Sequence, residues 1–116
     1  MELYRIYHVW TAKIKPGKKL DEAAKWWQEK GKATYESLPG VKSVKAYGVQ
    51  FGLGGEYRLE FWMEMENYAA YDRIDEDLFA NPQKYAAFGE GLDLFEWGPA
   101  RVMGDWPESH WSPPEE

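Results

Sequence analysis

His8 is the side chain whose type and position most directly suggest chemistry. It lies within an apolar stretch and shares one face of an alternating pattern with Ile6 and Trp10. An imidazole has an ordinary pKa near ~6.5, so in a pocket lined by rings it can relay a proton or bind a substrate oxygen. A histidine that is packed in the core or at an interface is the alternative. We predict His8 as a candidate catalytic residue.

A second candidate group combines Arg58, Glu60 and Trp62 at a spacing of two residues. On a strand, residues at this spacing share one face. Arg58 could hold a phenolate or enolate oxygen while Glu60 acts as a base, and the indole of Trp62 would contact the substrate. The structural alternative is an interfacial ion pair beside a packed indole.

Aromatic residues make up 17% of the chain, with seven Trp and eight Tyr, which is more than a core of this size easily encloses. We therefore expect some rings to line a pocket or a subunit interface, because pockets for planar ligands have apolar walls with few polar groups. The hydroxyl of Tyr71 completes the predicted catalytic set. The predicted substrate-binding residues are Trp10, Tyr47, Trp62, Tyr85 and Trp97. Ordinary core packing is the alternative for each ring.

Hydrophobic periodicity and turn residues predict the elements that must position these side chains. Strands are expected at residues 3–14, 41–51, 56–65 and 94–103, and helices at 20–37, 68–79 and 83–88. Residues 52–55 read as a glycine-rich hairpin turn, and residues 89–93 as a turn before the last strand. The break at Gly98-Pro99 fits an edge strand or a bulge. In the first helix, only one ring of the pair Trp26 and Trp27 is expected to reach the core.

The order β-α-β-β-α-β predicts a ferredoxin-like α+β domain, in which two helices cover one face of a four-stranded antiparallel sheet. We place this domain at residues 1–104. The other face of the sheet carries Tyr7 and Val9 and is expected to be covered by a second copy in a two-fold homodimer. Residues 105–116 form an acidic, Pro-rich tail, and we expect Trp106 or Trp111 to dock onto the partner subunit.

The charge and composition of the chain exclude several classes of binding partner and cofactor. The net charge of -6 opposes attraction to nucleic acid and to anionic lipid, since phosphate binding relies on clustered Lys and Arg. There is no Cys, and the acidic residues lack the spacing of calcium or zinc ligands, so we predict no metal and no cofactor. We see neither a signal peptide nor an apolar run long enough to span a bilayer, and we expect a cytoplasmic protein.

Three short motifs carry a resemblance to a known family. They are Ile14-Lys15-Pro16-Gly17-Lys18, then Leu38-Pro39-Gly40-Val41, and Glu60-Phe61-Trp62 leading to Tyr68-Ala69-Ala70-Tyr71. Over residues 3–103 the chain resembles the dimeric α+β barrel superfamily, nearest to the antibiotic-biosynthesis-monooxygenase-like and stress-responsive proteins. The resemblance implies a homodimer and, among its members' reactions, cofactor-independent oxidation, isomerisation or heme degradation.

The chain departs from the enzyme-like members of that superfamily at two positions. Tyr71 and the segment Asn81-Pro82-Gln83 stand where those members carry histidines, which disfavours heme degradation because an axial imidazole is missing. The leading hypothesis is a small-molecule pocket between sheet and helices that binds an aromatic or polyketide-like compound, or acts as a cofactor-free monooxygenase or isomerase on it. The alternative is a non-enzymatic dimeric stress-responsive or assembly module.

Overall fold

The computed structural model describes residues 5–49 and 58–108. Four strands form one antiparallel sheet in the order β2-β3-β1-β4. The strands are β1 (Ile6–Ile14), β2 (Val41–Gly48), β3 (Leu59–Met65) and β4 (Phe95–Gly104). The predicted order of strands and helices along the chain and the four-stranded antiparallel sheet are confirmed. The predicted hairpin turn at residues 52–55 lies outside the described residues.

The helical segments cover one face of the sheet. The first comprises α1 (Leu20–Trp26), a π-helical turn (Trp27–Gly31) and α2 (Lys32–Glu36). The second comprises α3 (Ala70–Ala80), a 3₁₀ turn (Pro82–Tyr85) and α4 (Ala87–Leu94). Among the described residues, no helix is both long and apolar enough to cross a membrane.

The prediction of a turn at residues 89–93 is wrong, because these residues lie within α4. Glycine is an unfavourable helix residue, and the two glycines of this stretch made a turn the better local interpretation. Tertiary packing instead favours the helix at Gly91, where an added Cβ would lie 2.8 Å from the ring of Trp26. The absence of a side chain at Gly91 therefore lets α4 lie directly against the indole.

The period-two pattern of β3 correctly predicts which residues enter the core. Phe61, Met63 and Met65 are buried, and they face the helices together with the buried Ile6 and Trp10 of β1. Residues paired across antiparallel strands share a face, so His8, which pairs with Met63, also points toward the helices. This arrangement puts the candidate histidine on the helix-covered side of the sheet.

The first residue of β2 lies on a different face from the one that strict alternation predicts. Alternation groups Val41 with Ser43 and Lys45, yet Val41 packs against the core. The register shifts between Val41 and Ser43, which pair with Met65 and Glu64 respectively. An irregularity of this kind adds a residue to one strand and exchanges the faces on its two sides.

Both tryptophans of the first helical segment contact the core, contrary to the expectation that only one would. Trp26 is buried, and Trp27 is half-buried with its ring centre 4.9 Å from that of Phe61. Consecutive helical side chains diverge, but the aromatic layer is broad enough to receive two neighbouring rings. The ring centres of Trp26 and Trp27 are 6.2 Å apart.

β4 is an edge strand, and its register against β1 shifts between Trp10 and Ala12, as the Gly98-Pro99 break predicts. β4 ends at Gly104, and the next residue, Asp105, accepts hydrogen bonds from the guanidinium and backbone N–H of Arg5. Trp106 is 80% exposed. Trp111, the other tail tryptophan, lies outside the described residues, so docking of the tail stays a prediction.

Candidate functional site

A cavity of about 400 Å³ lies between the sheet and the second helical segment. Its walls come from β1, β3, β4, α2 and α4, so the strand order and both helical segments are needed to form it. The lining residues are His8, Trp10, Tyr35, Met63, Phe88, Leu92, Trp97, Gly98 and Ala100. Leu92 is 62% exposed. The site is an apolar, aromatic cavity with a few polar groups, as is usual for small-molecule sites.

Trp10 is the central ring of the wall. Its ring stacks on that of Phe61 at 5.5 Å between centres and lies 5.1 Å from that of Tyr35 and 6.4 Å from that of Trp97. Rings in such contact hold one another in place, which fixes the shape of the cavity. Trp10 and Trp97, both predicted from the sequence, are therefore brought together here.

His8 and Tyr71 form a hydrogen-bonded pair beside this cavity. The distance between Nδ1 of His8, on β1, and the hydroxyl of Tyr71, on α3, is 2.8 Å. Partial burial lowers the pKa of His8 below its ordinary value and raises the pKa of Tyr71 above its own. Both groups are therefore neutral at pH 7, and the pair can donate or accept a hydrogen bond without a net charge.

Tyr85 packs against a residue of the cavity wall but does not itself line the cavity. Its hydroxyl donates to the carboxylate of Asp77, which also accepts hydrogen bonds from Asn81 and Lys84. Its ring stacks on that of Phe88, a lining residue, with 5.6 Å between centres. Tyr85 is thus near the site through Phe88, while its own side chain is buried and bonded elsewhere.

The remaining predicted residues lie away from this cavity. Glu60, Trp62 and Tyr47 are on the opposite face of the sheet, where the indole N–H of Trp62 donates to Glu60 at 2.9 Å and the ring of Tyr47 lies 6.2 Å from that of Trp62. The second carboxylate oxygen of Glu60 is 3.8 Å from the guanidinium of Arg101. Arg58 lines a separate, smaller cavity of about 160 Å³ with Lys13 and Glu96.

Several lining residues are absent from the sequence-based site. Tyr35 had a signal, because its helical spacing places it on the buried side of the first helix. Phe88 ends the predicted helix at residues 83–88 but was not included in the site, and Leu92 was missed because a turn was expected at residues 89–93. Within residues 5–49 and 58–108, no group of three or more His, Asp or Glu side chains is placed to hold a metal ion.

No family model matches the chain, and no curated protein is significantly similar to it in sequence. Solved structures do match. An uncharacterised NIPSNAP domain protein from Burkholderia xenovorans aligns with a TM-score of 0.63 and 19% identity, over 92% of this chain and 98% of the other. A DABB family protein with a ferredoxin-like fold from Mesorhizobium loti aligns with a TM-score of 0.59 and 19% identity, over 90% and 97% of the two chains.

A dimeric protein of unknown function and ferredoxin-like fold from Bacteroides fragilis aligns with a TM-score of 0.51 and 15% identity, over 87% of this chain and 94% of the other. The chain has the ferredoxin-like α+β fold. At these identities the likeness concerns the fold alone. The antibiotic-biosynthesis-monooxygenase-like subtype and the homodimer stay predictions.

Proposed function

We propose that this protein binds a planar, mostly apolar small molecule in the cavity lined by Trp10, Trp97 and Phe88. The observation that carries the proposal is the cavity itself. Its volume of about 400 Å³ lies within the range of roughly 300–1,000 Å³ typical of ligand pockets. Aromatic walls favour flat ring systems, because stacking and edge contacts add to the free energy of burial.

Binding can be tested with 2-isopropenylnaphthalene, a flat hydrocarbon. We expect its addition to ¹⁵N-labelled protein to shift the indole N–H signals of Trp10 and Trp97, since both rings line the cavity. The signal of the exposed Trp106 serves as the internal control and should not move. An absence of shifts at Trp10 and Trp97 under saturating ligand would contradict the proposal.

A matched pair of variants locates the ligand. Ala100 lines the cavity next to Trp10, its neighbour on the adjacent strand, so Ala100→Leu should fill part of the space and weaken binding about tenfold or more. Ala33→Leu adds the same side chain at an exposed position of α2 and should leave the affinity unchanged. Equal affinities of the two variants would place the ligand elsewhere.

The reactions implied by the resemblance, cofactor-free oxidation or isomerisation, belong to the same proposal. Both depend on positioning the substrate and stabilising charge on an oxygen, and neither requires a bound metal. The neutral pair of His8 and Tyr71 is the group beside the cavity that can serve this purpose. Glu60 and Arg58, the other predicted catalytic residues, lie outside the cavity and therefore have no role in this binding site.

The alternative, a dimeric module, is favoured by the sheet face that the helices leave uncovered. On this face Tyr47 is 48% exposed, and its ring lies 6.2 Å from that of the half-buried Trp62. We propose that a second copy covers this surface, as the names of two structurally similar proteins, which describe them as dimeric, suggest. A ligand cavity on the opposite side of the sheet is compatible with such a dimer.

Sedimentation velocity tests the dimer. We expect the unmodified chain to sediment with about twice its mass of 13.6 kDa. Trp62→Glu should convert it to a monomer, because it replaces an indole of the proposed interface with a second carboxylate beside Glu60. Phe79→Glu is the control, since Phe79 is 91% exposed on α3, away from the uncovered face. A monomeric wild-type chain, or a Trp62→Glu variant that stays dimeric, would contradict the proposal.

A further inference from the structure

The hydrogen bond between His8 and Tyr71 decides which ring nitrogen of His8 remains for a ligand. Nδ1 is 2.8 Å from the Tyr71 hydroxyl, and the ring of His8 lies edge to face with Trp10 at 5.5 Å. The imidazole is thus fixed on two sides. Since His8 lines the cavity, the nitrogen left to meet a ligand is Nε2.

The direction of the hydrogen bond follows from the relative donor and acceptor strengths of the two groups. A neutral imidazole carries one N–H and one acceptor nitrogen, and a phenol is both donor and acceptor. Tyr71 lies within hydrogen-bond distance of Nδ1 of His8. The phenol O–H is more acidic than a neutral imidazole N–H, and the unprotonated imidazole nitrogen is a stronger acceptor than a phenol oxygen. Donation from Tyr71 to Nδ1 is therefore the favoured direction, and it leaves His8 with its proton on Nε2.

The other polar side chains of the cavity lining can each donate a hydrogen bond as well. The indole nitrogens of Trp10 and Trp97 donate only. Burial raises the pKa of Tyr35 to about 12, so its hydroxyl keeps its proton at neutral pH. Among the described residues, the lining contains no carboxylate to accept from a ligand and no Lys or Arg to balance a ligand anion. A ligand with an uncharged acceptor oxygen fits this lining best.

We infer that His8 is held by Tyr71 with its proton on Nε2 and presents this N–H to a carbonyl oxygen on a planar aromatic ligand. This inference rests on the proposed function, because it assigns the chemical class of the ligand in the same cavity. Tyr71 is a positioning residue, since it acts through His8. The substrate class is therefore an aromatic ketone, aldehyde or quinone-like compound.

The tautomer can be measured without a ligand. In ¹⁵N spectra that correlate the ring nitrogens with the ring protons, Nδ1 of His8 should give the signal of an unprotonated nitrogen and Nε2 that of a protonated one at pH 7.5. The chain has two histidines, so His110→Gln leaves the signals of His8 alone. In Tyr71→Phe the fraction of His8 that carries its proton on Nδ1 should rise, so the two nitrogen signals should move toward each other. A protonated Nδ1 in the unmodified chain would overturn the inference.

A pair of ligands of the same shape tests the recognised oxygen. 2-Acetylnaphthalene carries a carbonyl where 2-isopropenylnaphthalene carries a methylene group. We expect the ketone to bind about 3- to 10-fold more tightly, which is the effect of one net hydrogen bond. In Tyr71→Phe, which lacks the hydroxyl that orients His8, this ratio of the two affinities should fall.

The outcomes separate the two claims. Equal binding of both compounds to the unmodified chain overturns the carbonyl preference and leaves the proposed binding function standing. Binding of neither compound overturns both. A ketone preference that persists unchanged in Tyr71→Phe shows that the oxygen meets a different donor, which overturns the role of the His8–Tyr71 pair.

Discussion

Trp26→Ala is expected to lower the free energy of unfolding by about 3–5 kcal/mol, the range for removing a large buried aromatic ring. Trp26 is 6% exposed and connects the two helical segments. Its indole N–H donates to the carbonyl of Ala87 at 3.1 Å. An added Cβ at Gly31 or Gly91 would lie 2.7 or 2.8 Å from its ring. Alanine would leave a cavity between the helices and would remove the donor to Ala87.

Trp106→Ala is the matched control for this experiment. Trp106 is 80% exposed, so the same change should alter the free energy of unfolding by no more than about 0.5 kcal/mol. Urea unfolding followed by circular dichroism at one protein concentration measures both variants. Similar midpoints for the two would show that Trp26 does not hold the helical segments together.

Gly40→Ala is expected to cost about 2–5 kcal/mol, from two separate causes. Gly40 has φ +80°, a conformation that costs about 1–2 kcal/mol for a residue with a side chain. A Cβ at this position would also lie 2.4 Å from the Cβ of Ala70, at the fully buried start of α3. Overpacking of this kind typically costs about 1–3 kcal/mol. The carbonyl of Gly40 additionally accepts the backbone N–H of Glu66 at 2.7 Å, so the turn cannot move away freely.

Gly17→Ala separates the two causes. Gly17 has φ +86°, but nothing lies within 4 Å of an added Cβ. The variant should therefore show the backbone cost alone, about 1–2 kcal/mol. The same urea titration gives the difference between the variants, which measures the steric contribution at Ala70. If Gly40→Ala is no more destabilising than Gly17→Ala, the close contact with α3 is absent in solution.

Local patterns were enough to predict the strands and most of their faces. In β3, alternation separates Phe61 and Met63 from Glu60 and Trp62, and the structure buries the first pair on the helix side. Strand geometry makes this inference reliable, because each residue points opposite to its neighbours whatever the rest of the chain does. Where the register shifts, as at Val41, the same reasoning fails, since an irregularity depends on the partner strand.

The helix that closes the cavity could not be predicted in the same way. Gly89 and Gly91 are poor helix formers, and helix propensity alone favours a turn. The structure keeps α4 helical because the ring of Trp26 fills the space that a side chain at Gly91 would occupy. Leu92 consequently lines the cavity next to Phe88, although local patterns predicted a turn at its position.

The sequence by itself determined the order of strands and helices and the apolar character of the layer between them, because alternation, helical spacing and turn residues act over a few neighbouring positions. It also identified His8, Trp10 and Trp97 as candidates. Only the tertiary structure decided that these three line one cavity while Glu60 and Trp62 lie across the sheet. It also paired His8 with Tyr71, which is 63 positions away in the chain. Such contacts depend on how distant elements pack, and the spacing of residues within one element does not contain that information.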